Sequence, residues 1–119
     1  MGSKHEVITA QVAIDFSVQK RGRLYDARQG LAVPINGDVP MWFGPMPRKF
    51  KGFPDKFGFE FIDGVPVFCV VEVKTIAYST LSKEQKIYMS YIKSIGGFAY
   101  IAMESRKEGE LYFLKEFEG

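Results

Sequence analysis

Asp55, Glu72 and Lys74 are the residues of this 119-residue chain whose types and spacing carry chemistry. Asp55 closes Gly52-Phe53-Pro54-Asp55, and Glu72 and Lys74 flank Val73 at the end of a long apolar run that begins at Val65. Residues i and i+2 of a strand share a face. A carboxylate and an ammonium placed this way let one water touch both a bound cation and a positive charge. That pairing suits phosphodiester hydrolysis, which needs a nucleophile at neutral pH and neutralised phosphoryl oxygens. A hard, oxygen-ligated cation supplies both.

The elements that must bring these residues together are two strands. Asp63-Gly64 separates two runs rich in β-branched and aromatic residues, and Asp-Gly is a favoured type I′ hairpin turn. Such a turn makes paired positions sum to 127, provided no bulge intervenes. Phe59 then opposes Phe68, Phe57 opposes Val70 and Asp55 opposes Glu72. One hairpin face carries Asp55, Phe57, Phe59 and Phe61 against Pro66, Phe68, Val70, Glu72 and Lys74. The other carries Lys56, Gly58, Glu60 and Ile62 against Val65, Val67, Cys69, Val71 and Val73. The second strand is apolar on both faces through Val71, which predicts an inner strand covered on both sides. Opposed Cβ atoms lie about 4.5–5.5 Å apart. Two carboxylates that close oppose folding unless a charge such as a divalent cation sits between them.

The rest of the chain supplies the frame. Residues 4–19 have helical periodicity, with Val7, Ala10, Gln11, Ile14 and Val18 on one stripe and Ile8, Val12 and Phe16 widening it. Gly22 ends this helix, and a short strand follows over 23–28. Residues 31–51 hold four of the six prolines and the turn dipeptide Asn36-Gly37, a pattern of edge strands or an extended, functional or mobile arm. A second helix is predicted over 82–95, burying Ile87, Tyr88, Tyr91, Ile92 and Ile95 and stopped by Gly96-Gly97. Strands over 98–103 and 111–114 close the chain around a turn at 107–109. The order predicts one α/β (α+β) domain, a central mixed sheet flanked by helices.

Composition narrows the chemistry. The chain is 46% apolar and 25% charged, ordinary values for a globular protein. One cysteine excludes an internal disulfide and a cysteine-cluster metal site, and one histidine argues against histidine-ligated zinc. Cys69 lies on an apolar strand face and reads as a small buried hydrophobe. No run has transmembrane length and no secretory pattern is present, so a cytoplasmic or nucleoid-associated protein without membrane contact is expected. Net charge is +2, but residues 20–56 hold eight basic against three acidic side chains, and residues 104–119 three against five. The basic half is compatible with phosphate binding, but charge alone favours a solvated charged face.

GFPD at 52–55, EVK at 72–74, LSKEQ at 81–85 and IGGFAYIA at 95–102 together resemble the PD-(D/E)XK nuclease superfamily, in particular its small VRR-NUC branch. The resemblance covers most of the chain outside 31–51, and it implies a restriction-endonuclease-like αβββαβ core. It also implies a Mg²⁺- or Mn²⁺-dependent DNA endonuclease, with Asp55, Glu72, the Val73 carbonyl and Glu6 around the metal. Lys74 would position the attacking water and Gln85 would supply the polar residue of the following helix. Small stand-alone relatives resemble junction resolvases, which implies branched or flapped DNA as substrate and a homodimer. Arg28 and Gln29 at a strand end, and Arg48, Lys49 and Lys51 in the arm, are the candidate contacts to the DNA backbone.

Each residue also has an ordinary reading. Glu6 follows Ser3, and Gln85 follows Ser82, at capping-box spacing. Asp55 fits a turn, and Glu72 and Lys74 fit cross-strand ion pairs. Trp42 and Phe43 fit a dimer contact, a base-stacking wedge or ordinary core, and His5 is expected to be exposed and outside the site. The competing function is a non-catalytic DNA-binding or assembly module of the same fold. An intact Asp55-Glu72-Lys74 set argues against it.

Overall fold

The computed structural model describes residues 3–26 and 52–119, together with the backbone of residues 30–32 and 41–43. Helix α1, Lys4–Val18, opens on Ser3, whose Oγ accepts the Glu6 N–H at 3.2 Å. Strand β1, Gly22–Asp26, follows, and two short strands, β2 (Gly30–Ala32) and β3 (Met41–Phe43), pair as a separate antiparallel ribbon. The turn dipeptide Asn36-Gly37 and the side chains of Trp42 and Phe43 lie outside the described residues.

The hairpin forms as its turn dictates. Asp63 has φ 51° and Gly64 φ 79°, the two positive values that a type I′ turn requires. Strands β4 (Lys56–Ile62) and β5 (Val65–Lys74) pair antiparallel from Ile62↔Val65 to Lys56↔Val71, so every pair sums to 127 and no bulge intervenes. Helix α2 (Lys83–Ser94) then crosses over to β6 (Phe98–Glu104), which runs parallel to β5, and β7 (Tyr112–Glu116) returns antiparallel. The sheet order is β1-β4-β5-β6-β7. Helix, three antiparallel strands, helix and parallel strand give the expected αβββαβ order within a mixed sheet covered on both sides.

The two faces of β5 belong to different cores. Cys69, Val71 and Val73 pack with Ile8, Val12 and Phe16 of α1, while Val70 packs with Met89 and Ile92 of α2. Cys69 is fully buried, and burial and then the nearby Glu60 charge push its thiol up to about 12, which removes it as a nucleophile. Glu60 is itself buried beneath α1, where it takes bonds from the Arg21 guanidinium and the Tyr100 hydroxyl. Arg21 also lies over the Phe16 ring, so this charge pair is compensated and packed.

Each helix buries only part of the face its periodicity suggested: Ile8, Val12, Phe16 and Ile92 are buried as expected and Tyr88 packs against the core. In α1 the narrow stripe Ile8, Val12 and Phe16 faces the sheet, and Val7, Ile14 and Val18 are exposed. In α2 the core residues are Met89 and Ile92, while Ile87, Tyr91 and Ile95 are exposed. Strong apolar residues stand on both sides of each helix. Among the described residues no helix is long and apolar enough to cross a membrane.

Candidate active site

The expected residues converge where β4 and β5 part at one end of the sheet. Asp55 stands one residue before β4, and the ladder extended by one step places it against Glu72. The two are joined through the backbone in both directions. The Asp55 N–H donates to Glu72 Oε1 at 3.1 Å, and the Val73 N–H donates to Asp55 Oδ2 at 2.8 Å. Lys74 Nζ is 3.5 Å from Glu72 Oε2. Val73 itself sends its side chain into the α1 core, which anchors the strand between the two functional side chains.

Helix α2 delivers Gln85 to the same place. Ser82 Oγ accepts the Gln85 N–H at 3.1 Å, and Gln85 Oε1 accepts the Ser82 N–H at 2.8 Å, a complete capping box. The amide nitrogen of the same side chain donates to Glu72 Oε2 at 2.6 Å. Gln85 therefore caps the helix and holds the carboxylate at once. Gly52, with φ +93°, lets the chain pass against this helix start: a Cβ there would lie 2.6–2.8 Å from the backbone of Glu84 and Gln85. Gly52→Ala is expected to cost about 1–3 kcal/mol in urea unfolding. A cost near zero would show that this approach does not constrain α2.

Glu72 is only 4% exposed. Burial first, and then the charge of Asp55, push its carboxyl up to about 8, with Lys74 pulling the other way. An acid whose pKa rises on folding contributes stability that is complete below its ordinary value, near 4.5, and is lost as pH climbs through about 8. Without metal, the wild type is expected to lose stability relative to Glu72→Gln between pH 5 and pH 8, by an amount on the order of a few kcal/mol. Urea melts in EDTA at both pH values check this, and parallel pH dependence would contradict it.

His5 was expected outside the site, and the structure places it inside. Its Nε2 lies 3.2 Å from Asp55 Oδ2, and the side chain is 43% exposed. An ionised carboxylate only accepts, so the ring donates. His5 sits on the inward side of α1, three residues before Ile8 and seven before Val12, and that helical spacing is the signal that would have found it. It lines a cleft of about 570 Å³ with Glu6, Thr9, Asp26, Asp55 and Lys56. Lys56 is buried there and bonds Asp26 at 2.6 Å.

Glu6 is exposed on the rim of that cleft, and its side chain makes no hydrogen bond or ion pair with the described residues. No group of three or more His, Cys, Asp or Glu is gathered closely enough among the described residues to hold a metal ion. The donor set at the strand ends is instead two carboxylates, one with its pKa raised first by burial and then by the charge of the other. That set fits Mg²⁺ or Mn²⁺, since Mg²⁺ usually keeps several waters and takes only one or two carboxylates besides substrate phosphate. Arg28, Gln29, Arg48, Lys49 and Lys51 lie outside the described residues. No protein-family model matches the chain, and no curated protein matches it.

Proposed function

We propose that this chain is a Mg²⁺- or Mn²⁺-dependent deoxyribonuclease, an endonuclease acting on branched or flapped DNA. The observation that carries the reading is the convergence of Asp55, Glu72 and Lys74 at one end of the sheet, with Gln85 bonded to Glu72. Asp55 and Glu72 would hold the cation, and the Val73 carbonyl is the adjacent backbone donor. When bound, the cation polarises a phosphoryl oxygen and lowers the pKa of its water. Lys74 would hold that water and compensate charge at the phosphate. Gln85 fixes the Glu72 carboxylate, and the Val73 N–H and His5 fix Asp55. The products would carry 5′-phosphate and 3′-hydroxyl ends.

The test is a panel of labelled DNAs (duplex, single-stranded, flap and four-way junction) incubated with Mg²⁺ or Mn²⁺ and with EDTA. Metal-dependent cuts in the branched substrates are expected. Tight binding with no cutting of any substrate would favour the non-catalytic module.

His5 gives a narrower expectation. Groups that orient a metal-binding carboxylate typically change metal affinity or activity 10–100-fold when removed. His5→Ala is expected to weaken Mn²⁺ binding by about tenfold or more, read by calorimetric titration. Unchanged affinity would show that the Val73 N–H alone orients Asp55.

A further inference from the structure

We infer that the cavity between α2 and β7 is a subsite for an unpaired DNA nucleotide, its phosphate between Lys86 and Lys115 and its base on Leu81, Ile101 and Phe117. The identity of the ligand as DNA rests on the nuclease reading; the site itself rests on geometry. The sheet outruns its helix here. Helix α2 packs on β5 and β6, and β7 extends the same face beyond it. Between them lies a cavity of about 770 Å³, bordered by Lys86 and Ser90 of α2 and Lys115 of β7. Lys86 and Ser90 are four residues apart, so they stand on one side of the helix. The floor is Leu81, Ile101 and Phe117, the last two buried. Phe117 is pinned there: its N–H donates to the Ala99 carbonyl at 2.8 Å, and its own carbonyl accepts from Lys93 Nζ at 2.7 Å.

Register ties this cavity to the candidate active site. Glu72 pairs with Ile101, and Ile101 pairs with Lys115. Paired residues share a face, so the three form one row, with Lys115 two strand spacings, about 10 Å, from Glu72. Three stacked nucleotides rise about 10 Å, and an unstacked strand spans that distance in fewer. A strand with one phosphate at Asp55 and Glu72 therefore reaches Lys115. Lys86 and Lys115 are exposed, and neither ammonium makes a hydrogen bond or ion pair with the described residues. Two such cations over an apolar floor suit a phosphate with its base attached. Glu116 and Glu118 also border the cavity. Alternation along β7 turns Glu116 to the face opposite Lys115, and Glu118 lies exposed past the strand end. A base held in a duplex is not free to enter. The site therefore selects DNA with an unpaired strand over a fully paired four-way junction.

The experiment is fluorescence anisotropy of labelled oligothymidylate, and of a blunt duplex, with the full chain in Ca²⁺ over a salt series. The wild type is expected to bind oligothymidylate. The Lys86→Gln/Lys115→Gln double variant should lose that affinity about tenfold or more, with duplex affinity changed less than about twofold. Its slope of log K against log salt should become shallower by roughly 0.7 to 1.4, the loss of one or two phosphate contacts. Ser90→Trp, at an exposed helix position, fills the cavity and should block oligothymidylate as strongly while keeping the wild-type melting curve. Calorimetric titration should show Mn²⁺ affinity unchanged in both variants. A wild type that does not bind oligothymidylate would overturn the inference. So would double and Ser90→Trp variants that bind it as the wild type does. Equal loss of oligothymidylate and duplex affinity in the double variant would overturn it too, since the lysines would then be general backbone contacts. A wild type that binds oligothymidylate in this cavity but cuts no DNA would overturn the nuclease reading and leave the subsite standing.

Discussion

Glu72→Gln and Lys74→Ala are each expected to lower metal-dependent DNA cleavage by about a hundred- to thousandfold or more. Glu72 is buried, takes bonds from the Asp55 N–H and the Gln85 amide, and forms an ion pair with Lys74 at 3.5 Å. Glutamine keeps the shape and one accepting oxygen, so the fold survives while the charge that would hold the cation is lost. Lys74→Ala leaves both carboxylates in place and removes the group that would steady the water. Single-turnover cleavage gives the rate, and melting curves verify the fold. DNA affinity measured with Ca²⁺, whose loose coordination supports binding without cleavage, should change little. Wild-type-like turnover in either variant would remove the proposed site.

Asp55→Asn should have opposite effects on stability and on metal response. Once both are ionised, above about pH 8, two facing carboxylates about 5 Å apart, at an effective dielectric near 20, repel by roughly 3 kcal/mol before solvent and Lys74 reduce it. Asparagine keeps a carbonyl oxygen for the Val73 N–H, which donates to Asp55 at 2.8 Å, and removes the repulsion. In EDTA above that pH the variant should therefore be more stable than the wild type by roughly 1 kcal/mol. The rise in Tm that Mg²⁺ or Mn²⁺ gives the wild type should shrink, because a ligand stabilises only the state that binds it. If Asp55 served only to cap the strand end, its loss would instead destabilise by about 0.5–2 kcal/mol. Thermal melts of both proteins, with EDTA and with metal, separate the two. A lower Tm in EDTA with an unchanged metal response would contradict the facing-carboxylate site.

Much of this site was legible because one turn fixes it. Asp63-Gly64 demands a type I′ geometry, that geometry fixes the register, and the register puts Asp55 against Glu72. The apolar residues on both faces of β5 announced an inner strand, and the Ser82–Gln85 spacing announced the cap that also steadies Glu72. What periodicity could not supply was the facing of the helices. In α1, Ile8 and Val12 compete with Val7 and Ile14, and hydrophobicity alone does not rank the two stripes. The same ambiguity hid His5, which belongs to the narrower stripe that won. The Arg21–Glu60–Tyr100 cluster was hidden for another reason. Strand alternation put Glu60 on an apolar face, but its partners lie far away in sequence, and only the tertiary fold brings them together.

The most direct measurement is an anomalous-scattering map from crystals of the protein grown or soaked with Mn²⁺. One peak is expected between Asp55 and Glu72, about 2.0–2.6 Å from an oxygen of each carboxylate, the range of hard-cation–oxygen bonds. A map with no peak there, or with Mn²⁺ bound elsewhere while the Val73 N–H still caps Asp55, would contradict it.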